Sequence, residues 1–354
     1  MTDVLKVDAE QPDPKALARA AELIRAGQLV AFPTETVYGL GANALSQEAV
    51  ARIFEAKGRP TSDPIIVHIG DRAQLSLITP TPIDETAQVL IERFFPGPLT
   101  LVLPKANGVP ANVTANLPSV GLRMPVHPVA RALIHAAGVP IAAPSANTFG
   151  HTSPTNAAHV LADLGGRIPL ILDGGDTPIG VESTILDLTA RIPKLLRHGG
   201  VPLEAIQSAL QEAGLPSHVE VIRRYAAQDE TLQSPGMLLR HYAPYTPLTL
   251  VQATMGALGE TLRRLAAESA PSTIGLLLAD EDLDAVAGIP NAIILSVGSL
   301  TNLEQAAHQL FAKLRELDTL KVSAIYARDF PEQGIGSAIH DRLVRAAAGK
   351  ILYA

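Results

Sequence analysis

Residues 33–41 read Pro-Thr-Glu-Thr-Val-Tyr-Gly-Leu-Gly, and they directly follow a short apolar run at residues 29–32. A short apolar run next to turn residues predicts a buried strand. Gly39 and Gly41 permit positive φ and a close approach of the backbone, so that their N–H groups can line the floor of a pocket. The stretch therefore predicts a strand that ends in an anion-binding pocket. An ordinary strand and turn with solvated charges remains the alternative for this segment alone.

Two further groups of residues favour the pocket. Residues 57–60 read Lys-Gly-Arg-Pro, and residues 143–147 read Ala-Pro-Ser-Ala-Asn at the end of another predicted strand. Lys57 supplies a mobile point charge and Arg59 a planar fork of donors, a pair that suits phosphate oxygens. Ser145 and Asn147 add small hydrogen-bonding groups. The three groups together predict a phosphate-binding site.

Length and composition limit the class of protein. The 354 residues exceed a usual single domain and predict about two domains, each large enough for its own core. A hydrophobic content of 47% and a charged content of 18% are typical of a globular protein. The sequence contains no cysteine, which excludes disulfides, thiolate nucleophiles and cysteine-ligated zinc within this chain.

Charge and hydropathy argue against two kinds of partner. The net charge of −7 disfavours broad, sequence-independent contact with nucleic acid, which draws most of its affinity from phosphate neutralisation. The N-terminus shows no basic stretch leading into an apolar run, and no run approaches eighteen apolar residues. We therefore expect a cytoplasmic protein without membrane contact. Basic residues in or beside the motifs are nevertheless consistent with a cationic pocket: Lys57, Arg59, Arg123, Arg197 and Arg240.

The first 213 residues predict an α/β fold with a twisted mixed sheet and helices on its faces. Asp13-Pro14 predicts the start of a helix, and Ser46 predicts the start of a second helix that ends at Lys57-Gly58. Strands are predicted at residues 29–32, 64–69, 99–103, 120–124, 139–143, 168–172, 183–188 and 194–197, and helices at 84–94, 128–137 and 202–213. A mixed sheet fits better than a strictly alternating parallel one because strands outnumber helices.

The composition and periodicity of the sequence change after residue 213. Residues 214–247 carry four prolines and no sustained periodicity, which predicts a linker long enough to act as a lid over a binding site. Residues 248–354 predict a small, open, Rossmann-like C-terminal α/β domain. Its strands are predicted from residue 248 and at 273–278, 292–297 and 323–327, and its helices at 258–268, 303–317 and 337–348.

The motifs of several enzyme classes are missing from the sequence. Gly349-Lys350 lacks the upstream glycine of a P-loop, and Gly39-Leu40-Gly41 lacks the third glycine of a dinucleotide fingerprint. Ser145 and Ser183 do not lie in a nucleophile-elbow frame. The ten histidines show no metal-ligand spacing. The sequence therefore predicts neither a protein nucleophile nor a metal held by protein ligands.

Six motifs in order carry a resemblance to a known family. They are residues 33–41; residues 57–60 with Pro-Ile-Ile-Val-His at 64–68; Phe-Pro-Gly-Pro-Leu-Thr at 95–100; Val-Gly-Leu-Arg-Met-Pro at 120–125; Pro-Ser-Ala-Asn at 144–147; and Val-Glu-Ser-Thr-Ile at 181–185. Over most of residues 15–205 the chain resembles the threonylcarbamoyl-AMP synthase family, the YrdC-like enzymes. Ser-Pro-Gly-Met at 234–237 and Arg-His-Tyr-Ala-Pro at 240–244 resemble the longer, two-domain form of that family.

The resemblance implies an L-threonylcarbamoyladenylate synthase. In that reaction the amine of L-threonine combines with bicarbonate or CO2, and the new carboxylate attacks the α-phosphorus of ATP and expels pyrophosphate. The substrate thus supplies the nucleophile, and the protein positions the reactants and stabilises charge. Mg²⁺ would accompany ATP, coordinated mainly by phosphate oxygens and water. The product would pass to a separate transferase that modifies the adenosine next to the anticodon of tRNA.

The resemblance also implies roles for individual residues. Lys57 and Arg59 are the expected catalytic cations, and as cavity charges open to solvent they are expected to contribute little to stability. Arg123 is expected to hold the carboxylate of threonine as a bidentate pair. The expected threonine-binding residues are Thr34, His68, Arg123, Ala143 and Ser183. The expected ATP-binding residues are Lys57, Thr61, Ser119, Ser145, Asn147, Ser153, Arg197 and Tyr242. Ala143 stands where the family often has threonine, which weakens the case for strict threonine specificity.

Two other functions stay open on the sequence. One is a non-enzymatic RNA-binding or ribosome-maturation module, against which the acidic charge and the aromatic content of 4% argue. The other is a carbamoyl-transfer domain of the hydrogenase-maturation type. The cysteine-rich modules that accompany that domain have no counterpart in this sequence.

Overall fold

The computed structural model describes residues 1–222, 232, 234–236 and 238–354. By their contacts these residues form two units, Met1–Phe149 with Ser153–Met237, and Gly150–Thr152 with Leu238–Ala354. Part of the predicted linker and lid lies outside the described residues, namely 223–231, 233 and 237. The predicted boundaries at 213 and 247, and the lid itself, therefore stay predictions.

The first unit alternates short strands with helices along the chain. Its strands are β1 (Asp3–Lys6), β2 (Val30–Pro33), β3 (Tyr38–Asn43), β4 (Val67–His68), β5 (Leu99–Pro104), β6 (Ser119–Arg123), β7 (Ile141–Ala142), β8 (Leu170–Asp173), β9 (Thr184–Asp187), β10 (Lys194–Arg197) and β11 (Glu220–Val221). Its helices are α1 (Pro14–Arg25), α2 (Gln47–Lys57), α3 (Leu75–Ile78), α4 (Glu85–Phe94), α5 (Pro128–Ala137), α6 (Ala157–Leu164) and α7 (Leu203–Glu212).

The strands of the first unit form one mixed sheet. Their order is β1, β8, β2, β3, β7, β4, β6, β5, β9, β10 and β11. Parallel pairs such as β5 with β9 alternate with antiparallel pairs such as β5 with β6. The predicted mixed sheet is confirmed, and its centre brings together strands that are far apart in sequence.

Both faces of this sheet are covered by helices, which explains its continuous apolar strands. On one face, Val50 and Ile53 of α2 pack in a cluster that also contains Ala31 of β2. On the other face, Ile24 of α1 packs in a cluster that contains Phe32 of β2. Neighbouring residues of β2 thus point to opposite cores, as the alternation of side chains along a strand requires.

The predicted starts of α1 and α2 are confirmed by their capping contacts. The Asp13 side chain accepts from the Lys15 N–H, and the Ser46 side chain accepts from the Ala49 N–H. Gly58 ends α2 in the left-handed conformation, at φ 65°. Because glycine adopts this conformation without strain, the chain turns sharply between Lys57 and Arg59.

The role predicted for Gly39 and Gly41 is wrong. Both lie in β3, which continues from a tight turn after β2, and their φ angles are not positive. A Cβ atom on Gly41 would lie 2.7 Å from the Phe32 ring and 2.8 Å from the Ile141 side chain. These glycines therefore make room for core side chains between strands, instead of forming the floor of a pocket.

Seven elements were not predicted from the sequence: β1, β3, α3, α6 and β11 in the first unit, and a short helix at Leu283–Val286 and strand β16 (Ile351–Tyr353) in the second. β1 alternates between exposed and half-buried residues and is only four residues long. Its partner β8 is remote in sequence. Local patterns carry no signal for pairing of this kind, because it depends on tertiary contacts.

The second unit is an open α/β domain with a parallel sheet, which confirms the prediction. Its strands are β12 (Leu248–Gln252), β13 (Ile274–Leu278), β14 (Ala292–Ser296), β15 (Ile325–Arg328) and β16, and its helices are α8 (Met255–Ser269), α9 (Leu283–Val286), α10 (Leu303–Thr319) and α11 (Gly336–Ala346). The strand order is β14, β13, β15, β12 and β16. None of the helices in the described parts of the chain combines the length and apolar character needed to cross a membrane.

Candidate active site

Lys57 lies at the last residue of α2 and is directed onto the predicted Pro-Ser-Ala-Asn segment. Its Nζ donates to the backbone carbonyls of Ser145, at 2.6 Å, and of Asn147. The Ser145 hydroxyl in turn donates to the Asn147 side-chain carbonyl. The structure therefore brings together three of the predicted phosphate-contacting residues, although Lys57 lies 88 positions before Ser145 in the sequence.

Arg59 follows Gly58 and folds back over the turn that leads to β4. Its Nε donates to the Asp63 carbonyl at 3.1 Å, and its Nη2 donates to the Pro64 carbonyl at 2.7 Å. The same Nη2 lies 2.8 Å from Asp63 Oδ1. Thr61, which was predicted to bind ATP, lies in this turn and is exposed.

The expectation that these two cations are open to solvent is wrong. Lys57 is 2% exposed and Arg59 is 7% exposed. Both are held by backbone carbonyls because a buried cation must have hydrogen-bond acceptors. Substitution of either residue is therefore expected to affect stability.

Asp63 is a site residue that the sequence reasoning missed. It is fully buried; Oδ1 is paired with Arg59 Nη2 at 2.8 Å, and Oδ2 has no hydrogen-bond partner in the described part of the chain. Burial raises its pKa to about 6, against the opposing effect of Arg59, Lys57 and Arg197. The sequence did contain a signal for this residue, namely an aspartate between a Lys-x-Arg pair and an apolar strand.

Arg197 is the last residue of β10 and bonds to Ser183, the residue directly before β9. Its Nε donates to the Ser183 carbonyl at 3.1 Å and its Nη2 to the Ser183 hydroxyl at 3.2 Å. The Ser183 hydroxyl also bonds Thr100 Oγ1, at 2.8 Å. Gly199 allows this close approach, since a Cβ there would lie 2.3 Å from the backbone of Ser183.

Arg123 is the last residue of β6 and is buried in a second cluster of polar side chains. Its Nη2 donates to Glu35 Oε1, its Nη1 to Thr36 Oγ1 at 2.9 Å, and its Nε to the Gly97 carbonyl at 3.2 Å. Thr34 Oγ1 lies 2.8 Å from Thr36 Oγ1. Thr34 and Arg123 are thus connected through Thr36, and Glu35 and Thr36 are partners that the sequence reasoning missed.

His68 lies on β4 directly beside Arg123, with which it is paired in register on β6. Burial, together with the positive charge of Arg123, lowers the pKa of His68 to about 3. The ring is therefore neutral at physiological pH. Its Nδ1 has no hydrogen-bond partner among the described residues.

The remaining predicted residues fall into three places. Ser119 lines a cavity of about 10 Å³, together with Thr100, Gly121 and Ser234. A space of that size holds about one water, so a nucleotide can enter only if the lining moves apart. Ala143 is buried and donates its N–H to the Ile66 carbonyl. Ser153 is buried and donates its hydroxyl to Glu182 Oε1.

Tyr242 belongs to the second unit. Its ring is 1% exposed, contacts the His241 ring at 4.0 Å between centroids, and lies under Arg342 at 4.9 Å. The predicted contact of Tyr242 with ATP stays a prediction. Alanine at this position would remove a core ring, so phenylalanine is the variant that tests its hydroxyl alone.

Comparisons with known proteins agree with this architecture. The sequence model described as "Telomere recombination" matches residues 22–199, and the one described as "Threonylcarbamoyl-AMP synthase, C-terminal domain" matches residues 201–348.

Curated relatives and a solved structure match nearly the whole chain. The threonylcarbamoyl-AMP synthase of Bacillus subtilis is 45% identical over 342 residues, which are 96% of this chain and 95% of that protein. The threonylcarbamoyl-AMP synthase of Pyrococcus abyssi is 42% identical over 355 residues, 99% of each chain. The crystal structure of P. abyssi Sua5 complexed with L-threonine matches with a TM-score of 0.90 and 42% identity, and it covers 100% of each chain.

Proposed function

Since the chain belongs to the threonylcarbamoyl-AMP synthase family, we propose that its candidate active site converts L-threonine, bicarbonate or CO2, and ATP into threonylcarbamoyl-AMP and pyrophosphate. The family activity makes the chain an enzyme of the nucleotidyltransferase type. The observation that carries the site assignment is the grouping of three buried cations, Lys57, Arg59 and Arg197, around Asp63. Such a cluster suits the phosphates of ATP, whose negative charge it offsets.

Arg123 supports the threonine half of the proposal. Nη1 of Arg123 donates one N–H to Thr36, and Nη2 donates one to Glu35. Each of these two nitrogens carries a second N–H. Those second N–H groups can form a bidentate pair with the carboxylate of threonine. His68 beside it is neutral, so it does not compete with Arg123 for the negative charge.

The proposed reaction has two bond-forming steps. The neutral amine of threonine bonds to the carbon of CO2 with release of a proton, or to that of bicarbonate with release of water. A carboxylate oxygen of the N-carboxy-threonine then bonds to the α-phosphorus of ATP, and the bond from that phosphorus to pyrophosphate breaks. Lys57 and Arg59 stabilise the charge that develops on the phosphoryl oxygens.

Mg²⁺ is part of the proposal as the partner of ATP. In the described residues, no group of three or more histidine or carboxylate side chains is placed to hold a metal ion. Asp63 Oδ2 has no hydrogen-bond donor among the described residues, but the surrounding cations disfavour a divalent ion there. We therefore place Mg²⁺ on phosphate oxygens and water, where it neutralises triphosphate charge.

The fate of the product is also proposed. Threonylcarbamoyl-AMP is a mixed anhydride, so a separate transferase must capture it before water does. We propose a tRNA threonylcarbamoyl transferase, which modifies the adenosine next to the anticodon. A cytoplasmic location fits this role, because ATP, threonine and tRNA meet there.

Product analysis tests the proposed function. The protein is incubated with ATP, Mg²⁺, L-threonine and bicarbonate, and the mixture is analysed by mass spectrometry. We expect threonylcarbamoyl-AMP and an equal amount of pyrophosphate. Formation of ADP and phosphate in their place would contradict the proposal.

Replacement of Arg123 by lysine is expected to weaken the use of threonine more than that of ATP. An ammonium cannot reproduce the planar fork, and loss of one charge-assisted donor corresponds to a rise of about tenfold or more in the threonine KM. Each substrate is titrated separately at a saturating concentration of the other. The matched control is Arg131→Lys, since Arg131 is a partly buried arginine of the same unit that donates to the Gly70 carbonyl. A selective ATP defect in Arg123→Lys would reverse the assignment.

A further inference from the structure

Asp63 is a buried carboxylate on which three cations of the phosphate-binding cluster act, namely Arg59, Lys57 and Arg197. It lies in the turn between α2 and β4, where its N–H donates to the Pro60 carbonyl at 3.2 Å. Its side chain is 0% exposed. The turn therefore directs a carboxylate into the interior beside the cations, where water does not screen it.

The charges around Asp63 come from three separate elements. Arg59 lies in the same turn, with Nη2 at 2.8 Å from Oδ1. Lys57 is the last residue of α2, and Arg197 is the last residue of β10. All three are positive and favour the charged carboxylate, whereas burial opposes it and is the larger effect. Asp63 thus offsets part of the positive charge that a triphosphate would use.

We propose that Asp63 is a resident counter-ion of the Lys57, Arg59 and Arg197 cluster, and that ATP binds tightly only when a proton neutralises it. This inference rests on the proposed function, which assigns those cations to the phosphates of ATP. The carboxylate and the triphosphate compete for the same positive charges. Their mutual repulsion across a buried site is stronger than in water.

Proton linkage gives the direction of the pH effect. The pKa of Asp63 is about 6 without nucleotide, so the carboxylate is mostly charged near pH 7. Added negative charge from ATP raises that pKa, and binding therefore takes up a proton. Affinity for ATP is expected to fall as the pH rises through 6 and to level off once the ATP-bound form also loses its proton.

The experiment is calorimetry of MgATP binding to the full chain, in buffers of different ionisation enthalpy. Near pH 7 the natural protein is expected to take up a substantial fraction of one proton more than Asp63→Asn, because the nucleotide's own titration is common to both and cancels in the difference. Asp63→Asn is also expected to bind MgATP about tenfold more tightly at pH 7.5, and about equally at pH 5.5.

A matched control separates this effect from the loss of any buried ion pair. Asp282 is a buried aspartate of the second unit whose Oδ1 lies 2.8 Å from Arg328 Nη1. Asp282→Asn is expected to change neither proton uptake nor affinity. Thermal unfolding of each variant verifies that it is folded.

The possible outcomes distinguish this inference from the proposed function. Absence of proton uptake by the natural protein overturns the counter-ion role, and this result does not depend on any variant. Weaker binding by a folded Asp63→Asn also overturns it, because it would show that Asp63 only positions Arg59. If neither Lys57→Met nor Arg197→Met weakens MgATP binding, the assignment of the cluster to ATP fails, and both proposals fall.

Discussion

Omission of either L-threonine or bicarbonate is expected to reduce pyrophosphate release from ATP by at least about 10²-fold, because the attacking carboxylate is built from both. The two requirements are independent, since threonine supplies the nitrogen and bicarbonate or CO2 supplies the carboxylate. The measurement is continuous detection of pyrophosphate, with each substrate left out in turn and with CO2 removed from the buffer.

The control for this experiment is a different amino acid. L-Serine or L-alanine in place of threonine measures how far the site discriminates among amino acids, a point on which Ala143 weakens the expectation of strict specificity. Turnover that is equal with and without threonine would contradict the proposed reaction. So would a requirement for threonine without one for bicarbonate.

Lys57→Met is expected to lower kcat/KM by about 10²-fold or more, because methionine keeps much of the apolar chain but removes one charge-assisted donor from the phosphoryl group. Stability is expected to fall as well. The carbonyls of Ser145 and Asn147 lose their donor inside the protein, which corresponds to roughly 1–3 kcal/mol in the free energy of unfolding. Steady-state kinetics and urea unfolding measure the two effects separately.

Lys105→Met is the matched control for this variant. Lys105 is a half-buried lysine of the first unit whose Nζ donates to the Val109 carbonyl, at 3.4 Å, and it belongs to neither polar group of the site. We expect its turnover to be unchanged. Near-normal turnover in a folded Lys57→Met enzyme would remove Lys57 from the catalytic machinery.

Local signals predicted much of the fold. Asp13 and Ser46 cap their helices as expected, because a cap depends only on residues a few positions away. The alternation of strands and helices after residue 248 likewise predicted an open sheet. Strand β3 was missed because its glycines were read as a turn, whereas they clear space for Phe32 and for Ile141, which lies a hundred residues further on.

The candidate site was predicted only in part, for the same physical reason. Lys57, Ser145 and Asn147 carry recognisable motifs, and the structure places them in contact. Their burial was not predicted, since it depends on how the turn after α2 packs. Glu35 was overlooked as a member of the site because its ion-pair partner Arg123 lies 88 residues away. Asp63 was overlooked although its partner Arg59 lies only four residues before it.

The pairing of β1 with β8 has a consequence for how the protein is made. β1 leaves the ribosome long before its partner, which begins at Leu170, and Thr2 Oγ1 donates to the Ile168 carbonyl 166 residues away. At ordinary rates of translation the two strands emerge on the order of 10–30 s apart. β2, which also pairs with β8, waits almost as long with one edge unpaired. A nascent chain that stalls before residue 170 therefore exposes an apolar sheet edge, which favours aggregation and binding by chaperones.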